Sequence, residues 1–240
     1  MSKVFRYELH RLLRSKFFLG LLVVTLFYAW QLLNYTIILG VASTAPFSPW
    51  SFGSYLARMM PLLSVALLFF IWNLCSAQAG GMQSLTDAAP MSRGRYQMTK
   101  YLAALTSWFV LAGMVFALGV GFLWTLFGSS VPIASLLLVS VTTLLPPCVL
   151  LLGLGAVIGT FRSWTLFVLM ALAFEAGFLP GDFYGESLFM EYPLSLGVVD
   201  PVFSIPTSVL IKKLVVVLIG IELLLLACVQ LHQRLAHALK

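Results

Sequence analysis

Apolar residues run along this chain in long blocks, separated by a few short polar stretches. Blocks near the roughly 20 residues that a bilayer requires fall at 17–39, 55–76, 101–127, 134–159, 163–179 and 210–231. The pattern therefore predicts an all-α polytopic membrane protein with six transmembrane helices. The first 16 residues follow a different pattern. Val4, Phe5, Leu9, Leu12 and Leu13 recur at helical spacing, with Lys3, Arg6, His10, Arg11 and Arg14 between them. That is a basic amphipathic helix, expected to lie in the membrane interface.

Two polar stretches stand out. In 77–100 the 81–89 segment predicts a short helix that Pro90 stops. Met82 and Leu85, three residues apart, would share one face of it. The other stretch, 180–209, contains Pro180, Pro193, Pro201 and Pro206 yet is rich in apolar residues. Irregular backbone at membrane depth is tolerated only where protein buries it. The stretch predicts two short helices that re-enter the membrane, or else an amphipathic lid. The whole chain, 1–240, reads as a single transmembrane domain. Its order is interfacial helix (1–16), spans 1 and 2 (17–76), loop (77–100), spans 3 to 5 (101–179), re-entrant segment (180–209), then span 6 and tail (210–240).

Charge sets the orientation. Eleven of the 14 Lys and Arg residues fall on one side of this six-span arrangement, leaving Arg58, Lys212 and Lys213 on the other. Bases concentrate on the cytoplasmic side, so both termini and the 77–100 loop are expected there. Composition agrees: 61% of residues are hydrophobic and 9% charged, where soluble domains carry about a quarter charged. The net charge of +6 is explained by bases beside the spans that meet lipid headgroups. No basic-aromatic module suggests nucleic acid. Cys75, Cys148 and Cys228 lie in apolar runs without a CxxC pair, and read as packing residues. The apolar run after Lys16 is too long for the core of a cleavable signal peptide.

No catalytic motif is visible. No lysine follows a glycine, so the chain has no P-loop of its own. HExxH and GxSxG are also absent, and His10, His232 and His237 read as solvated residues. The chain is expected not to be an enzyme and to bind no metal or cofactor. Glu175 and Glu222 lie within predicted spans, where a charge is costly. They would line a transport path or bind a cationic substrate, or would pair internally with a residue such as Arg58. Tyr28, Gln31, Asn34 and Tyr35 share one face of the first span. That face would meet another helix, a subunit or an aqueous path. Gly113, Ala117 and Gly121, like Gly155 and Gly159, have the spacing for close helix approach. Pro146 and Pro147 are expected to kink the fourth span.

The order Gly81, Leu85, Pro90-Met91-Ser92-Arg93, then Lys100 at the next span resembles the first cytoplasmic loop of ABC-2 type transporter permeases. The opening FRYELHRLLRSKFFLG is similar to the N-terminal amphipathic helix of that family. The resemblance implies a coupling helix that docks on a separate cytoplasmic P-loop ATPase through Gly81, Met82, Leu85, Asp87, Pro90 and Arg93. ATP and Mg would bind that partner. It further implies re-entrant outer helices, and a dimer with a second copy or a homologous permease. The first and fifth spans would contribute to its interface and pathway, which brings in Tyr28, Gln31, Asn34, Tyr35 and Glu175. Glu222 of the sixth span is added on its charge alone. The expected function is export of a drug, antibiotic peptide or bacteriocin across a bacterial cytoplasmic membrane. A lipid or polysaccharide exporter is the same-class alternative. A membrane sensor or assembly factor, or an intramembrane enzyme using Glu175 and Glu222, would belong to other classes.

Overall fold

A computed structural model of the chain describes residues 2–75, 93–161, 163–178 and 183–238, the side chains of 2, 3, 93, 161 and 229–238 excepted. The regular structure of these residues is entirely helical. Eight α-helices follow in order: α1 (Ser2–Leu13), α2 (Lys16–Tyr35), α3 (Pro49–Cys75), α4 (Arg93–Phe127), α5 (Ile133–Phe161), α6 (Thr165–Glu175), α7 (Glu186–Ser195) and α8 (Thr207–Ala238). By length and composition four are able to cross a membrane, at Lys16–Leu39, Pro49–Cys75, Gly94–Ser130 and Ile133–Thr160.

α3 forms the centre, and α2, α4, α5, α6 and α7 all pack against it. Its buried face includes Phe52, Tyr55, Met59, Leu63, Leu67 and Phe70. α5 and α8 form the most extensive helix pair. Gly153 and Gly220 make this possible. A Cβ on Gly220 would lie 2.7 Å from the Val149 carbonyl group and the Leu150 nitrogen, and one on Gly153 would strike the Gly220 carbonyl oxygen. Ser15 separates α1 from α2. Its hydroxyl accepts from Phe18 N at 3.1 Å and donates to the Leu12 carbonyl at 2.7 Å. One side chain thus ends one helix and caps the next.

The structure departs from the sequence expectation in three places. The predicted fifth span is helical only over Thr165–Glu175. Those 11 residues, at about 1.5 Å each, reach roughly half of a 30 Å hydrocarbon core. The chain nevertheless continues along α3. Trp72 meets Phe167 with ring centroids 5.0 Å apart, Gly177 contacts Pro61, Glu186 pairs with Arg58, and Phe189 covers Gly53. Thus α6 and α7 together run antiparallel to α3 along most of its length, and the described residues between them, 176–178 and 183–185, are not helical. In the second departure, the described residues of the 180–209 stretch before Thr207 form one helix, α7, where two were predicted. After it the chain is non-helical from Leu196 to Pro206. Pro201 and Pro206 withhold backbone donors, and Asp200 adopts a positive φ of 51°. This segment is tied down instead: Trp50 Nε1 donates to the Pro201 carbonyl at 3.0 Å, and Ala45 N donates to Asp200 Oδ1 at 3.2 Å. The third departure concerns small residues. Nothing lies within 4 Å of a Cβ built on Gly113 or Gly121, so this stripe faces outward. Gly119 fills the internal role, with Phe52 and Tyr55 rings 2.9 Å from its would-be Cβ. Gly155 against Leu68 and Ile71, and Gly159 against Cys75, pack as the spacing implies.

Candidate functional site

Helix breaks and ends leave carbonyls without backbone donors, and side chains answer them here. Pro146 has no N–H, so it cannot bond the Thr142 carbonyl four residues earlier. Lys213 of α8 donates to that carbonyl at 2.8 Å. Tyr184 donates to the Ala173 carbonyl near the end of α6 at 2.6 Å. At the opposite end of the bundle, Lys100 of α4 donates to the Leu74 carbonyl in the last turn of α3 at 3.3 Å. A cation at a helix C-terminus also meets the negative end of the macrodipole.

Lys100 belongs to a buried charged cluster. Its ammonium lies 4.6 Å from the centroid of the Tyr96 ring. Glu8 of α1 is only 2% exposed, and Arg11 pairs with it at 3.1 Å. Leu12 is buried beside them, and α1 packs along α4. The N-terminal helix therefore uses its inner face on protein, against α4, while Lys100 links α4 to the end of α3. Glu8 went unread in the sequence because the surrounding bases dominate. Its position four before Leu12, on the apolar face, was the available signal.

A cavity of about 540 Å³ lies between α2, α3, α6 and the start of α7. Phe27 and Tyr28 enter from α2, Arg58 and Pro61 from α3, Phe174 from α6, and Glu186 from α7. Arg58 Nε donates to Glu186 Oε1 at 2.8 Å, and Arg58 Nη2 lies 3.7 Å from Met190 Sδ. The result is an aromatic chamber with a single neutralised ion pair and one phenol. Such a lining suits an apolar or amphipathic molecule with a few polar groups.

No family model, curated protein or solved structure matches this chain.

Of the predicted pathway residues, only Tyr28 lines this chamber. Gln31 is half-buried on the same helix. Asn34 Nδ2 donates to its own helix at the Trp30 carbonyl, 2.9 Å away, and Tyr35 is 73% exposed at the end of α2. Glu175 and Glu222 are exposed and are not brought together. Neither forms an ion pair with a described residue; Arg58 takes Glu186 instead. Glu222 sits among exposed Leu218, Ile219, Ile221, Leu225 and Leu226 on the outer face of α8. Arg93 opens α4. The remaining predicted coupling residues, Gly81, Met82, Leu85, Asp87 and Pro90, lie outside the described residues. The described residues contain no group of three or more potential metal ligands.

Proposed function

We propose that this chain is the membrane-spanning permease subunit of an ATP-binding cassette exporter of the ABC-2 type. It crosses the membrane six times, with α6 and α7 together making the fifth crossing and both termini in the cytoplasm. The 77–100 stretch docks on a separate P-loop ATPase, which binds ATP and Mg. A second permease copy, or a homologous one, completes the pathway.

The observation that carries this reading is the clamp at the base of that stretch. Lys100 bonds the start of α4 to the last turn of α3, and α1, with Glu8 and Arg11 paired on its inner face, packs along α4. Any displacement of the intervening loop would thereby act on α3 and α4 together, and on α1 through α4, since packed elements move as units rather than deform continuously. The aromatic chamber beside Arg58 and Glu186 supports a hydrophobic or amphipathic substrate, such as a drug, antibiotic peptide or bacteriocin. A power stroke at one end and a chamber towards the other form a transporter's division of labour. The partner's role is tested with the tagged chain purified from its native membrane. It is expected to retain a P-loop ATPase in stoichiometric amount, with ATP hydrolysis in the purified complex. Leu85→Asp, which adds an unpaired charge at a docking anchor, is expected to insert normally and lose the ATPase. An unaltered chain that retains no ATPase would remove the transporter reading.

A further inference from the structure

Contacts between α5 and α8 give the depth of each α8 residue. The two helices run parallel: Lys213 meets Thr142, and Gly220 meets Val149 and Leu150. Val149 lies near the middle of α5 (Ile133–Phe161). In the six-span arrangement Glu222, two positions after Gly220, therefore sits midway through the hydrocarbon core. From Leu214 to Cys228 it is the one charged residue. It is exposed, and its carboxylate meets no donor among the described residues. The bases nearest to it in sequence cannot reach it. Lys213 is held by the Thr142 carbonyl, and Arg234 is twelve positions further along α8, about 18 Å at 1.5 Å per residue. Val215, Leu218, Ile219, Leu225 and Leu226 are all exposed. They stand three, four or seven positions from Glu222, so they share its face. Gly220 holds the opposite side of α8 against α5. The free side is thus an apolar face with one carboxylate at its centre.

We propose that this face of α8 docks a transmembrane helix of another protein, apolar except for a single Lys or Arg at the depth of Glu222. The inference rests on α8 spanning the membrane, as in the proposed function, and not on the ATPase. A carboxylate that faces lipid at mid-depth is costly. A base on the partner supplies the countercharge together with charge-assisted hydrogen bonds. One polar position in an otherwise apolar helix interface also fixes register and partner. A second copy of this chain fits less well. Two copies in one membrane present equal depths to each other. The base set furthest into its helix, Arg58 in α3, is already paired with Glu186. Pairing α8 with α8 would set Glu222 against Glu222, and like charges disfavour ionisation of both.

The test uses the full chain, fluorescently labelled, in phosphatidylcholine vesicles with labelled synthetic spanning helices of leucine and alanine. One peptide carries Lys at its centre, a second carries Leu there, and a third carries the Lys two turns nearer one end. Energy transfer is expected to show the central-Lys peptide bound about tenfold more tightly than the other two, as for a good polar contact between helices in lipid. Glu222→Gln is expected to remove most of that preference. Glu222→Lys is expected to transfer it to a peptide with a central Glu. Glu222 is exposed and makes no described internal bond, so Glu222→Gln should melt with the unaltered protein, which separates lost docking from lost fold. Equal binding of the central-Lys and Leu peptides, or an undiminished preference on Glu222→Gln, would overturn the proposal and leave Glu222 facing lipid. Energy transfer between two copies of the chain, lost on Glu222→Gln and not displaced by the central-Lys peptide, would overturn the foreign helix and make the face an interface between copies. No ATPase enters these measurements. A chain that retains its ATPase yet shows no preference among the peptides would lose the docking face and keep the transporter reading.

Discussion

Two lysines one position apart in α8 have different surroundings, and the difference is measurable. Lys213 supplies the donor that Pro146 withholds from Thr142. Lys213→Met keeps the length of the side chain but orphans a carbonyl, which costs about 1–3 kcal/mol where water cannot reach it. A lowered melting temperature in detergent is expected, and an unchanged one would show that the bond is replaceable. Lys212→Met should leave the melt unaltered. At the other end of the bundle, Glu8→Ala removes the carboxylate partner of Arg11. Breaking a fully buried pair costs about 3–5 kcal/mol, but Arg11 keeps 28% of its side chain exposed. Water then screens part of the charge, so a loss of roughly 1–2 kcal/mol is expected. Glu8→Gln should lose less, because the shape and one acceptor remain. Equal losses for the two variants would mean that the charge carries the whole effect, and no loss on Glu8→Gln would mean that it is immaterial.

Helix α1 was legible from apolar residues at helical spacing among bases, and α2 to α5 and α8 as apolar runs of near-bilayer length. Tyr28 was also legible, as part of a polar stripe on a spanning helix. The chamber it lines was not. Arg58 and Glu186 lie 128 positions apart, and no local pattern links residues that meet only through tertiary packing. The break between α6 and α7 was hidden for a related reason. An apolar run reports burial, and the 163–179 block is apolar whether or not its backbone stays helical. Glycine spacing misled in one helix and served in another, since a small residue permits close approach without requiring it. Gly113 and Gly220 therefore predict opposite outcomes. Gly113→Ala meets nothing within 4 Å and should stabilise α4 by about 0.5–1 kcal/mol through helix propensity. Gly220→Ala drives a methyl against the α5 backbone, at 2.7 Å from Val149 and Leu150. Backbone cannot rotate aside as a side chain can, so the α5–α8 pair must separate, at about 1–3 kcal/mol or more. Thermal melts of the two variants check both signs. If Gly113→Ala instead weakens the protein, another chain covers that stripe.

Across the whole molecule the side on which each end lies depends on one short helix. His10 on α1 and Ser204 after α7 are both exposed, and α2, α3, α4 and α5 lie between them. Four crossings alone would return Ser204 to the side of His10. A fifth crossing, by α6 and α7, would place it opposite. α6 is too short to cross alone, but the contacts from Trp72 and Phe167 through Pro61 and Arg58 to Gly53 carry the α6–α7 chain along α3. The charges favour the same answer. Asp200 follows α7 in the part of the chain that would be outside, whereas the bases of α1 and of 93–100 sit at the other end. Moving acids is cheap for topology and moving bases is not. We therefore expect Ser204→Cys to react with a membrane-impermeant maleimide in intact cells, and His10→Cys to react only after permeabilisation. The background would carry alanine at Cys75, Cys148 and Cys228. Reaction of both positions from one side would mean that α6 and α7 turn back within the membrane. The six-span arrangement would then fall, and with it the opposed placement of the Glu8 clamp and the Arg58 chamber on which a power stroke depends.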